Sequence, residues 1–247
     1  MYKVVILIPA RLESTRFPGK PLVKIKGKEM IIRVLERSLY EHDVFAVVNN
    51  KSISNVVRKY GYKEILIEEK CSTGTDRIAL AAKKLNLDEN DIIINVQGDE
   101  PLVMPWMIEK VVKTKKDNPD FVVNAFSKIT SEEEFLSKST IKIVVNNNSN
   151  LLFASRSNIP SSKNKINLDF ARKQVCIYAF SFHQLKKFAQ TNKGLIETKE
   201  DIEILRFIEN SICPVKMVDL GNIKLKAVDN PKDVIEVEKY LENCNQN

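Results

Sequence analysis

Arg11, Arg16 and Lys20 stand on one short stretch, IPARLESTRFPGKPL at 8–22, which continues from the apolar run Val4-Val5-Ile6-Leu7-Ile8. Small and turn-prone residues separate them, namely Ala10, Ser14, Thr15, Pro18 and Gly19, and the one acid is Glu13. Cations spaced by turn residues at the end of a buried strand suit a polyphosphate, because open α/β sheets bind ligands outside the carboxyl ends of their strands. A basic loop is also ordinary solvated surface; the adjoining buried strand and the scarcity of acids favour the anion site. The ATPase-type phosphate loop is excluded, since position 14 is Ser rather than Gly and Lys20 is followed by Pro21.

Carboxylates come next. In INVQGDEP at 94–101, an apolar strand runs straight into Gln97, Gly98, Asp99 and Glu100. Acids at that end of a central strand face the same crevice as the basic loop. Magnesium takes one or two carboxylates plus substrate phosphates, so Asp99 is a candidate metal ligand. Gly98 lets a nucleotide approach the backbone. Residues 72–77, STGTDR, open a helix that Thr75 or Asp76 would cap. Its free amides, with Ser72, Thr73, Gly74 and Arg77 around them, suit an anion or a base edge. Many helices begin this way, so that signal is weak alone. In VDNPKD at 228–233, Asn230 reads as a helix cap, Pro231 as the first helical residue and Asp233 as the capping partner. For Asp229 itself a structural turn is the better reading.

The elements that must position these residues follow from periodicity. Strands are expected at 3–8, 44–48, 63–67, 91–96 and 121–129. Helices alternate with them at 30–40, 52–60 (capped by Ser52 or Ser54), 75–85 and from Pro105. Such alternation predicts a doubly wound, mainly parallel sheet. From Ile141 the pattern changes to strands at 141–145, 151–155 and 174–180, with a turn at Asn146–Asn150 and a polar loop at 161–167. This reads as a mixed or antiparallel extension of the sheet. Helices near 200–209 and 231–242 follow, with short strands between them, and 243–247 are expected to fray.

Composition bounds the rest. The chain has 247 residues, 43% of them hydrophobic, and a net charge of +7. Its lysines are dispersed among acids and form no ladder with aromatics, which argues against nucleic acid as a partner. The four cysteines are Cys71, Cys176, Cys213 and Cys244. They have neither zinc nor redox spacing, and with no leader-like or membrane-spanning segment they fit a reduced, cytoplasmic protein. The two histidines, His42 and His183, sit in no suggestive context.

Taken together, IPARLESTRFPGKPL, STGTDR, INVQGDEP, LLFASRSNIP, KQVCIY and VDNPKD resemble the bacterial 3-deoxy-manno-octulosonate (Kdo) cytidylyltransferases, in that family's order and over nearly the whole chain. The resemblance implies a three-layer, mainly parallel Rossmann-like nucleotidyltransferase sheet in a single domain. Residues 1–130 would hold the nucleotide, 131–225 the sugar and the dimer contact, and 226–247 a helix closing the site. It implies that CTP is coupled to an acidic keto-sugar by a Mg²⁺-assisted homodimer. Arg11, Ser14 and Lys20 would meet the triphosphate, and Ser72, Thr73, Gly74, Arg77 and Gln97 the nucleotide. Asp99 and Asp229 would hold the metal, which raises Asp229 from turn to ligand. Arg16, Arg156, Tyr178 and Glu203 would line the sugar site, with Gln174 and Ile204 at positions where the family contacts sugar.

Departures cluster at the sugar. The family's KHxGIY is Lys173-Gln174-Val175-Cys176-Ile177-Tyr178 here, and its LEQLR is Ile202-Glu203-Ile204-Leu205-Arg206. The acids usual after the second strand are replaced by Asn49-Asn50-Lys51. The expectation is a relative of Kdo, such as an amino-substituted one. Two alternatives stay open: transfer to another acidic acceptor, and a catalytically silent nucleotide- or sugar-binding protein of the same fold.

Overall fold

The computed structural model describes residues 2–13, 17–39, 41–163, 165–223 and 225–244. In chain order the first half carries β1 (Val4–Ala10), a 3₁₀ turn (Lys20–Leu22), β2 (Lys24–Ile25), β3 (Lys28–Glu29), α1 (Met30–Ser38), β4 (Asp43–Val48), α2 (Lys51–Lys59), β5 (Lys63–Leu66), α3 (Gly74–Lys84), β6 (Ile92–Val96), α4 (Pro105–Asp117) and β7 (Val122–Lys128). The second half carries α5 (Glu132–Leu136), β8 (Lys142–Val145), β9 (Leu151–Ser155), β10 (Arg172–Ser181), α6 (Phe182–Gln190), α7 (Leu195–Glu200), α8 (Leu205–Glu209), β11 (Val215–Asp219) and α9 (Pro231–Cys244).

Nine strands make one sheet. Its main path runs β11-β7-β10-β6-β1-β4-β5, and β8 leaves β10 to pair with β9. The β6-β1-β4-β5 part is parallel throughout, as is β11 with β7. The antiparallel share is not confined to an edge, because β10 runs antiparallel between β6 and β7. Both faces are covered, which explains why Ile92–Val96 is apolar and buried throughout. One apolar cluster joins α1, α2 and α4 to the sheet, through Ile31, Leu35, Ile53, Val57, Ile108 and Val111. The other joins α3, α6 and α8, through Ile78, Ala82, Leu185, Phe188, Leu205 and Phe207. Each such aliphatic or aromatic side chain contributes about 1.5–3 kcal/mol on full burial.

Three local expectations are corrected. Asn50, not Ser52 or Ser54, caps α2, its side chain accepting the Ser52 amide at 2.7 Å. Thr73, not Thr75 or Asp76, caps α3, its hydroxyl accepting the Asp76 amide at 3.0 Å. A cap must keep extended backbone while the next residues turn helical, and Asn50 and Thr73 are the residues that do so. The helix expected at 200–209 is the shorter α8 at Leu205–Glu209, because the left-handed Asp201 (φ 53°) ends a separate, unanticipated helix, α7, before it. Helix α6 was not anticipated, although Ser181 and Gln184 form the capping box that starts it. At 228–233 the reading holds: the Asn230 side chain accepts the Lys232 amide, and the Asp233 carboxylate accepts the Asn230 amide at 2.9 Å.

Candidate active site

The carboxyl ends of β1, β5 and β6 open into a cleft of about 880 Å³, completed by the segments before β8, after β9 and before α9. Arg11, Lys20, Thr73, Gly74, Arg77, Gln97, Asp99, Arg156, Glu203 and Asp229 all line it. Ser14 and Arg16 lie outside the described residues. Ser72 is exposed beside this lining.

The centre of the cleft is a charge cluster. Gly19 has φ +72°, a left-handed conformation that glycine adopts without strain, and it turns the chain into the 3₁₀ turn that begins at Lys20. The Lys20 ammonium lies 2.7 Å from Asp99 Oδ2 and 3.6 Å from Asp229 Oδ1. Backbone contacts hold the acids in place. The Val228 amide donates to the Asp99 carbonyl at 2.9 Å, and the Asp229 amide donates to Asp233 Oδ2 at 2.8 Å. A Cβ added at Gly98 would stand 2.6 Å from the Pro9 carbonyl oxygen, so only glycine lets the acid turn pack on the end of β1. Arg11 is exposed and makes no salt bridge among the described residues.

Glu100, expected with Asp99 to face the crevice, is instead buried and does not line it. It is 6% exposed and its Oε2 has no hydrogen-bond partner among the described residues. Burial first, and then the Asp99 charge, push its carboxyl up to about 8 against the pull of Lys173 and Lys20.

At the second wall, Glu203 meets the start of α3, where Glu203 Oε1 accepts the Gly74 amide at 3.2 Å and Oε2 the Thr75 amide at 3.0 Å. Its carboxylate thus fills the anion position that the free amides of a helix start provide. Arg77 is buried and donates to the Ile67 carbonyl at 2.6 Å, so it braces the α3 turn. The Gln97 side chain donates to Asn95 Oδ1 at 3.4 Å, and its backbone amide to the Cys176 carbonyl at 3.3 Å. Arg156 is anchored by the carbonyls of Glu200 (2.6 Å), Asp201 (3.0 Å) and Lys138 (3.1 Å).

Gln174, Tyr178 and Ile204 do not line the cleft. Tyr178 is buried and stacks on Phe180, and burial pushes its hydroxyl pKa up. Ile204 is buried in the second apolar cluster. Gln174 donates to Asn124 Oδ1 at 2.9 Å, and the Asn124 amide donates to the carbonyls of Val175 and Ile177 across the irregularity in β10 that holds Cys176.

A family model described as "Cytidylyltransferase" matches residues 5–218. A 3-deoxy-manno-octulosonate cytidylyltransferase of Thermodesulfovibrio yellowstonii is 36% identical, over 96% of this chain and 97% of its own. An 8-amino-3,8-dideoxy-manno-octulosonate cytidylyltransferase of Shewanella piezotolerans is 34% identical, over 96% of this chain and 98% of its own. A solved CMP:2-keto-3-deoxy-manno-octonic acid synthetase, complexed with CTP, superposes with a TM-score of 0.87 at 33% identity, covering 98% of this chain and 99% of that one.

Proposed function

The chain belongs to the 3-deoxy-manno-octulosonate cytidylyltransferase family and is a nucleotidyltransferase; from that premise we propose that it couples CTP to the anomeric hydroxyl of a 3-deoxy-2-keto acid sugar. The hydroxyl attacks the α-phosphorus in line, the bond to the β-bridging oxygen breaks, and pyrophosphate leaves with that electron pair. The observation that carries this reading is the convergence of Lys20, Asp99 and Asp229 at the carboxyl ends of the strands.

Arg11 and Lys20 neutralise charge on the triphosphate and on the leaving pyrophosphate. Gln97 and the α3 turn, with Thr73, Gly74 and Arg77, position the nucleotide; Arg156 and Glu203 position the sugar. Ser14 and Arg16 take the triphosphate and sugar roles given them by the family pattern. The donor set fits a magnesium ion: Asp99 and Asp229 already share one cation, the Lys20 ammonium, and two carboxylates plus phosphates are what Mg²⁺ prefers. Bound there, the ion supplies charge neutralisation at the α-phosphate and lowers the pKa of the attacking hydroxyl.

Two sugars of this class appear in the names of its relatives, the plain acid and its 8-amino-3,8-dideoxy form. The changes at Gln174, Cys176 and Ile204 favour the amino form, acting through the shape of β10 and the seat of Glu203. Exposed Leu136, Leu152, Phe153, Ile166 and Phe170 support a homodimer through the 131–225 part. Helix α9 closes the site, and the protein works in the cytoplasm. No helix among the described residues is long and apolar enough to cross a membrane.

The test is pyrophosphate release with CTP, UTP, GTP or dTTP, Mg²⁺ and either sugar. CTP-dependent release, faster with the 8-amino sugar, is expected. Faster turnover of plain Kdo assigns that sugar instead, and no release with any pair leaves the silent binding protein.

A further inference from the structure

Asn49 stands at the end of β4, where the first basic loop leaves β1 alongside it. The parallel pairing of β1 with β4 runs to Ala10↔Val48, which brings Leu12 and Glu13 beside Asn49. Asn49 Oδ1 accepts the Leu12 amide at 3.3 Å, and its Nδ2 donates to Glu13 Oε2. The next residue, Asn50, caps α2, so Asn49 is held from both sides. The Gly19 amide donates to the Leu12 carbonyl at 3.1 Å, closing the loop on the same root. Arg11, Leu12 and Glu13 all line the cleft.

With Glu13 as its partner, a carboxamide is the side chain that suits this junction. It offers one acceptor to a backbone N–H and one donor to a carboxylate. An aspartate could accept from Leu12 but could not donate to Glu13, and it would place a second negative charge at the mouth of a polyanion site. Glu13 itself is held below the usual carboxylate range, by its own backbone hydrogen bond first and by Asn49 second.

We propose that Asn49 is a positioning residue for the triphosphate: by pairing with Glu13 and the Leu12 amide it fixes the root of the basic loop and keeps the loop's own acid engaged away from the phosphates. The inference rests on the CTP reading above and deepens it. Asn49→Asp is expected to raise the KM for CTP about 5- to 10-fold, with kcat changed less than about twofold and the melting temperature nearly unmoved. Adding Glu13→Gln restores a donor–acceptor pair with reversed roles, and KM should return to within about twofold of the parent. Calorimetric binding of inorganic tripolyphosphate to the same proteins needs no turnover and should follow the same order.

An unchanged KM in Asn49→Asp, a loss confined to kcat, or a double variant no better than the single one overturns the role of Asn49. A parent enzyme that releases no pyrophosphate from CTP sinks the functional reading instead. In that case the tripolyphosphate ranking still decides the inference, and equal affinities, or no binding by the parent, overturn it.

Discussion

Lys115 and Lys20 stand at opposite ends of one sheet, and their surroundings differ in kind. Lys115 lies at the amino ends of β6, β7 and β11, on a groove of about 670 Å³. It is 1% exposed, and its ammonium donates to the carbonyls of Pro119 (2.6 Å) and Phe121 (2.7 Å) and to Gln184 Oε1 (2.9 Å). Three donors meet three neutral acceptors, so no hydrogen bond is left for a ligand. Lys20 instead faces two carboxylates in a cleft lined also by Arg11, which makes no salt bridge among the described residues, with the buried Glu100 next in sequence to Asp99. A buried cation whose hydrogen bonds are all met by the fold is packing; charges that converge and stay incompletely met mark the place for a substrate.

The sharpest way to break this contrast is at Asp99. Asp99→Asn should lower kcat by about a thousandfold or more, with the melting temperature within a few degrees of the parent; a loss under tenfold would remove the metal role. At the other end, Lys115→Met should cost about 2–4 kcal/mol in urea unfolding, through unsatisfied carbonyls, and leave kcat/KM within about twofold. A marked loss of activity there would mean that the two ends are coupled.

The pH dependence sharpens the same comparison. Burial lowers the Lys115 pKa to about 8 from the usual 10.5. Between those values the unfolded chain holds the proton and the folded chain does not, so the stability contribution of Lys115 rises with pH. The parent should therefore gain on Lys115→Met between pH 8 and 10.5, by at most about 1.4 kcal/mol per pH unit in denaturation curves. A gap that narrows across that window contradicts the assignment. The smallest effect belongs to Glu203→Ala, which orphans the Gly74 and Thr75 amides and should cost about 1 kcal/mol with a rise in sugar KM. No change in sugar KM would confine Glu203 to capping α3.

Much of this was legible in the sequence because it is local. Apolar runs ending in Pro9 and Val96 announced strand ends, and Arg11, Lys20 and Asp99 followed them at once. The cap at Asn230 and Asp233 is a contact between neighbours, and it was read correctly. What escaped was set by tertiary pairing. Nothing near 172–181 says that β10 enters the sheet antiparallel between β6 and β7, since that choice belongs to its partners. The caps of α2 and α3 were missed by a residue or two because several polar residues competed and the backbone decided among them. Nor could spacing bring Glu203 to the start of α3, or Asn49 to Glu13, since long-range packing joins them.

Gly98 carries a consequence for how such an enzyme can diverge. With no side chain there, the turn bearing Asp99 rests directly on the Pro9 carbonyl, one residue from the start of the cationic loop. The cationic loop and the acid turn therefore share a single backbone joint, and a methyl group wedged into it would shift both at once. The wall bearing Arg156 and Glu203 comes from separate segments, one after β9 and one between α7 and α8. A change at Gly98 would therefore disturb Arg11 and Asp99 together, whereas Arg156 and Glu203 are seated independently of that joint.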